Sequence, residues 1–235
     1  ENNIYVCGNV YIDSSGRRDF QVFKMSSAGV VEWARHYNDS LNYDDKCVAI
    51  VVDNADDIIV TGESFGWGPG YPVAEIATIK YDAAGNVKWI VRHESSTSTA
   101  LPSAITLDSV NNIYIVGSAY DEISAFDCIT IKYNAQGELQ WLNLINGDKN
   151  QADGGYDILH RNGTVYVSGS VTNFETQYDA LVAGYSESGT LLYRDEWNSN
   201  QNEEDRFTHL AMGPDGSLIA AGIIEKINDD DLLVV

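Results

Sequence analysis

The sequence predicts an all-β chain, a β-propeller of four-stranded antiparallel blades, and three observations carry that prediction. A hairpin-like stretch recurs: Phe23–Trp33 (FKMSSAGVVEW), Ile79–Trp89 (IKYDAAGNVKW), Ile131–Trp141 (IKYNAQGELQW) and a worn copy, Ala183–Tyr193 (AGYSESGTLLY). A short apolar strand ending in glycine recurs between the copies, closing at Gly8, Gly62, Gly117, Gly169 and Gly222, with spacings of 54, 55, 52 and 53 residues. A fixed period in that range is the mark of units that bury their faces against one another. Finally, no window shows apolar residues recurring at three and four positions, so no helix is expected.

Within each unit four strand-like runs follow in order. In the second unit they are Cys47–Asp53 (a), Ile58–Gly62 (b), Ala74–Tyr81 (c) and Val87–His93 (d). They are short, rich in Val, Ile, Thr and Tyr, and bounded by Gly, Asn, Asp and Ser, as strands are. The near-continuous apolar run of strand a predicts a sheet covered on both faces. A sandwich needs no such period and solenoid coils are shorter, which leaves the propeller. The repeats fall near residues 4–57, 58–112, 113–164 and 165–217, with a partial one at 218–235, a single propeller region. The chain opens on a strand b and stops inside a strand c, so the expectation is a piece of a longer polypeptide contributing about five blades of a larger ring.

The a–b and c–d turns are short and interchangeable, whereas the b–c and d–a connections are long and differ between blades. The two kinds emerge on opposite faces of a four-stranded meander. Binding residues live on loops held by a rigid scaffold, which makes the long-connection face the expected binding face. Glu63–Val73 (ESFGWGPGYPV) reads as a projecting loop rather than strand. Its Trp67 has no counterpart in the other blades and, with Tyr71, is a candidate ligand contact or a staple onto its own blade. Tyr120, Asp121, Phe174 and Tyr178 on the corresponding connections follow the same reasoning. Arg17 and Arg18 form a rare basic spot.

The repeat D-x-x-x-x-K-Y-[ND]-x-x-G-x-x-x-W, then I-x-x-D and N-I-Y-V-x-G, resembles the bacterial SBBP repeat, named for a seven-bladed β-propeller. Asp127, Lys132, Tyr133, Asn134, Gly137, Trp141 and Val165–Gly169 carry most of it, and Gly184 and Tyr193 replace the lysine and tryptophan in the fourth blade. The resemblance implies a secreted or cell-surface bacterial protein with no common catalytic residues. A weaker similarity joins the G-x-x-x-W step to the tryptophan-docking repeats of pyrroloquinoline-quinone propellers, without their cofactor residues. Sialidase-type repeats place one residue fewer between glycine and tryptophan.

With 14 basic and 35 acidic residues the net charge is −21. Phosphate backbones require a basic surface, so nucleic acid is excluded as a partner, and an anionic membrane face equally so. No cofactor is predicted. Calcium takes clustered oxygen ligands, and Asp229, Asp230 and Asp231 are the acids offered for it; solvated acidic runs are the commoner reading. The repeated Trp33, Trp89 and Trp141 read as structural rings packed between neighbouring outer strands. Lys24, Lys80 and Lys132 read as blade-to-blade partners of repeated acids such as Asp53 and Asp108. Of the three cysteines, Cys128 reads as a small core residue, while Cys7 and Cys47 could pair across adjacent blades. The histidines match no metal or nucleophile motif. The function expected is a non-catalytic extracellular or surface module that binds or scaffolds a protein or glycan partner, or sits within a larger surface assembly. The alternative is a carbohydrate-active or other hydrolytic propeller with carboxylates at the channel mouth.

Overall fold

The computed structural model describes residues 3–11, 16–67, 72–93, 99–123, 125–199, 204–226 and 229–234, with backbone alone at 67, 121, 224–226 and 229–234. The described chain is all β. Five antiparallel meanders follow one another in the order of the sequence. The first sheet holds β1 (Ile4–Tyr11), β2 (Arg18–Met25) and β3 (Val31–Tyr37). The second holds β4 (Asp45–Val52), β5 (Ile58–Trp67), β6 (Pro72–Tyr81) and β7 (Val87–His93). The third holds β8 (Ala100–Leu107), β9 (Ile113–Asp121), β10 (Ala125–Tyr133) and β11 (Leu139–Ile145). The fourth holds β12 (Gly154–Arg161), β13 (Thr164–Thr172), β14 (Tyr178–Ser186) and β15 (Leu191–Trp197). The fifth holds β16 (Asp205–Met212), β17 (Leu218–Lys226) and β18 (Asp229–Val234). The chain divides into two compact units, Glu1–Pro102 and Ser103–Val235.

Turn chemistry explains the repeated connections. At the c–d turns Gly29, Gly85, Gly137 and Gly189 sit near φ +80°, and each donates its N–H back to the residue three before it. That left-handed backbone is open to glycine at little cost. Asp82 caps its turn by accepting from the N–H groups of Ala84 and Asn86. Each c–d hairpin then carries a bulge at the same place, after Lys24, Lys80, Lys132 and Gly184.

The third strand of each four-stranded sheet, not the first, is the one covered on both faces. β6, β10 and β14 are buried almost end to end. β4 instead leaves Val48 and Val52 exposed, because a bulge between Cys47 and Ala49 interrupts its alternation. The same bulge recurs between Gly155 and Asp157 and between Phe207 and His209. In the N-terminal unit Phe20 and Val22 of β2 pack with Ile58, Val60, Ile79 and Tyr81 of the second sheet. In the C-terminal unit Tyr114, Val116 and Cys128 pack with Val165, Val167, Leu181 and Tyr185. Cys128 is fully buried there, a core residue.

Much of the acidity is structural. Asp45 and Asp205 open the first strand of their sheets, Asp153 immediately precedes β12, and all three are buried. Each accepts the main-chain N–H of the residue six before it, from Asp39, Gly147 and Ser199, which closes the preceding d–a connection. A second repeated set, Asp19, Glu75, Asp127 and Asp179, is buried in the first half of β2, β6, β10 and β14.

Candidate functional site

The long connections of the N-terminal unit build a groove of about 450 Å³ lined by Arg17, Tyr43, Asp44, Phe65 and Pro72. Three segments supply it: the approach to β2, the connection leading into β4, and the β5–β6 hairpin. The Arg17 guanidinium lies 4.3 Å from the centroid of the Tyr43 ring and donates to the Asn42 carbonyl. Tyr43 and Phe65 stand 6.4 Å apart at 48°. Arg18 grips Asp44 through Nε (3.2 Å) and Nη2 (2.8 Å), while its main-chain N–H also donates to Oδ1 (3.0 Å). Those bonds from Arg18 hold the Asp44 carboxyl below the usual carboxylate range, so the groove carries a fixed anion beside two aromatic faces.

The β5–β6 hairpin differs from the loop expected over Glu63–Val73. β5 continues to Trp67 and β6 begins at Pro72, with register kept to Trp67↔Pro72. Gly66 allows this, because a Cβ there would stand 2.1 Å from Glu75 Oε1. Glu75 in turn accepts from Arg92 Nε at 2.8 Å, and Arg92 reaches Tyr37 and Asp39. Phe65 is thus a strand residue on a braced ribbon rather than a loop tip.

The residues singled out from the sequence fall elsewhere. Tyr71 and the side chains of Trp67, Asp121, Asp229, Asp230 and Asp231 lie outside the described residues. Tyr120 packs edge-on against Phe126, with centroids 5.4 Å apart. Phe174 is exposed and Tyr178 half-buried, and among the described residues no ring contact joins Tyr120, Phe174 and Tyr178. Sequence reasoning passed over Tyr43 and Phe65. The signal available was aromatic residues on each of two consecutive long connections, Tyr43 on one and Phe65 with two others on the next, beside the only Arg–Arg pair in the sequence.

The repeated residues have scaffold roles. Trp33 and Trp141 donate their indole N–H groups to the main-chain oxygens of Ala83 and Glu187, on the c–d turn of the following sheet. Lys132 donates to the same Glu187 oxygen at 2.7 Å, so it does bridge blades, but not to Asp108. Tyr114 takes Asp108 instead. Lys80 pairs with Asp53 (2.6 Å) and Asp57 (3.3 Å) inside its own sheet. Lys24 pairs with Glu32 of its own sheet and also donates to the Ala83 main-chain oxygen on the next sheet at 3.5 Å, so it too bridges blades.

Two other places in the C-terminal unit bring acidic side chains together. Asp108, His160 and Glu187 offer ligand atoms within 4.8 Å of one another. The Asp108 carboxylate already accepts from Val110, Asn112 twice and Tyr114, which fills its acceptor sites. His160 bonds Glu187 at 3.0 Å and stacks on Tyr114. This is a satisfied polar network. A cleft of about 410 Å³ lies between β14, β15, β16 and β17, lined by Tyr193, Asp195, Glu196 and Trp197 among others. Its acids are consecutive strand residues, and Glu196 is held by Arg194 and Asn173, so no opposed carboxylate pair forms.

No family model matches the chain. No curated protein matches it either. Solved structures do. An exo-β-1,3-galactanase from Clostridium thermocellum aligns with TM-score 0.50 and 14% identity, covering 100% of this chain and 56% of that one. Extracellular domains 1–2 of Drosophila Semaphorin 1a align with TM-score 0.53 and 12% identity, covering 97% and 52%. The chain spans about half the length of both. At such identities the likeness concerns the fold, and that fold is a β-propeller.

Proposed function

We propose that this protein is a non-catalytic, extracellular or cell-surface β-propeller module that binds a glycan in the Tyr43–Phe65 groove. The carrying observation is the groove's composition. Two aromatic faces, a guanidinium stacked on one of them and a fixed carboxylate suit the flat C–H faces and hydroxyl groups of a sugar, and the volume is that of a small-ligand site. The resemblance to SBBP repeats supports the surface location. Against hydrolysis stands the distribution of perturbed carboxylates. Asp45 and Asp153, both raised to about 6 by burial, are each locked onto main-chain N–H groups of their own unit, Asp45 from Asp39 and Asp153 from Gly147 and Thr172.

One of the solved structures with this fold is a galactanase, so β-1,3-galactan is the first probe, followed by other β-linked polysaccharides. Calorimetric titration of the wild-type chain should give saturable binding to at least one of them. Tyr43→Ala and Phe65→Ala should each weaken it at least tenfold with unchanged circular dichroism. Binding unaffected by both changes removes the groove from the proposal. Release of reducing ends by the wild-type chain overturns its non-catalytic part.

A further inference from the structure

We infer that Cys7 and Cys47 form an oxidisable pair, a site at which a low-molecular-weight disulfide links the first sheet covalently to the second. Cys7 lies in β1 and Cys47 in β4, and both thiols are free in this structure. The strands are held together at that level, because Asn9, two residues beyond Cys7, accepts from the Cys47 main-chain N–H at 2.8 Å. Both cysteines belong to the apolar cluster around Phe20, Val22 and Val60.

The repeat supplies a second, independent measure of how close these positions are. Cys7 precedes the period glycine Gly8 as Val116 precedes Gly117. Cys47 stands opposite Gly62 as Gly155 stands opposite Gly169. Between the third and fourth sheets, a Cβ placed on Gly155 would come within 2.3 Å of Val116 Cγ2. The backbone pair that carries Val and Gly there carries two cysteines between the first and second sheets, where the Cys47 thiol lies 3.9 Å from the Thr61 main-chain oxygen and close enough to Cys7 for each thiol to shift the other's ionisation.

The two sulfurs differ in chemistry. Cys7 is the more exposed, and the neighbouring Cys47 thiol favours its thiolate; Cys7 and burial hold Cys47 protonated. Cys7 therefore attacks first. Its thiolate displaces one thiolate from the external disulfide and forms a mixed disulfide. Cys47 then gives up its proton to solvent, attacks the Cys7 sulfur and expels the second thiolate. Two protein thiols are oxidised and one external disulfide is reduced to two thiols. The bond would tie strands forty residues apart without disturbing the groove on the long connections. Cys128 is excluded by its complete burial in the other unit.

Incubating the native 235-residue chain with glutathione disulfide and measuring its intact mass tests this. The expected product has lost two hydrogen atoms, reverts with dithiothreitol, and yields one cross-linked peptide pair containing Cys7 and Cys47. Cys128 remains alkylatable only after unfolding. Cys7→Ser and Cys47→Ser should each abolish the product, and Cys128→Ser should leave it. Stable glutathione adducts without cross-linking, disulfide-linked dimers, or no reaction would each overturn the inference, and because the readout is on the wild-type chain, a variant that fails to fold does not decide it.

Discussion

Trp33 donates its indole N–H to the main-chain oxygen of Ala83 at 3.1 Å, reaching fifty residues along the chain to the c–d turn of the next sheet. Arg35, two residues on, donates to Gly85 and Ala84 of the same turn. The repeat's tryptophan and the repeat's turn are thus two halves of one joint, and Trp141 with Glu187 repeats it in the C-terminal unit.

That joint makes Gly85 more demanding than a turn glycine need be. It sits at φ +81°, and a Cβ there would stand 2.9 Å from Trp33 Cδ2. Gly29 has φ +79° and open space around it. Gly29→Ala should cost about 1 kcal/mol from backbone strain alone. Gly85→Ala should cost more, about 2–3 kcal/mol, because the ring must also move. Urea unfolding of the two variants compares them directly, and equal losses would mean that the ring yields freely.

Lys80 is the only cation of a buried set with Asp53 and Asp57, all three less than 7% exposed. Lys80→Met leaves two buried carboxylates short of a partner, although Lys88 still reaches Asp57 from the surface. A loss of about 3–5 kcal/mol is expected by chemical denaturation. Burial alone would raise the Asp53 carboxyl, but Lys80 and the main-chain donors outweigh it and the net shift is downward. Its contribution is therefore complete above the ordinary carboxylate range and lost only on strong acidification. Lys24, paired with the more exposed Glu32, should matter less.

The fold was legible because the repeat is written in residues whose reasons are local: glycine at left-handed turns, tryptophan four residues beyond, β-branched runs between. The site was not, because its geometry depends on pairings across sequence. Glu63–Val73 reads as a loop by its glycines and prolines, yet Gly66 is there to admit Glu75. The lysines read as equivalent, yet Tyr114 stands where the second sheet has Ile59, takes the Asp108 carboxylate and redirects Lys132 to the next blade. Which aromatics meet, Tyr43 with Phe65 rather than Tyr120 with Phe174, follows from how consecutive sheets are set side by side.

Two buried acids give the chain a pH dependence opposite in sign to that of Asp53. Asp153 is raised to about 6 by burial, with hydrogen bonds from Gly147 and Thr172 opposing and the nearby Asp127 adding; Asp45 is raised to about 6 chiefly by burial. Their folded pKa values exceed the unfolded ones, so the folded state binds protons more tightly and stability falls as pH rises through about 6. Each should take away about 1 kcal/mol between pH 5 and pH 7. Asp153→Asn keeps one oxygen for the main chain and cannot ionise. Its urea midpoint should change less between those pH values than that of the wild-type chain, and identical changes would show that Asp153 does not titrate there.

Gly66→Ala tests whether the groove depends on the ribbon beneath it. A methyl at position 66 would stand 2.1 Å from Glu75 Oε1 and 2.6 Å from its Cδ, so the carboxylate must leave Arg92. Arg92 also holds Tyr37 and Asp39, and Asp39 receives the turn that leads to Tyr43 through the N–H groups of Leu41 and Asn42. Displacing Glu75 therefore disturbs both walls, Phe65 through its own strand and Tyr43 through Asp39. A stability loss of about 2–3 kcal/mol is expected for a buried charge pair pulled apart at part-buried positions. Binding of whichever polysaccharide the wild-type chain takes up should weaken together with stability. A variant that is destabilised yet binds with undiminished affinity would show that the ribbon supports the fold but not the groove, and Phe65 would then have to act from a position set by Tyr43 alone.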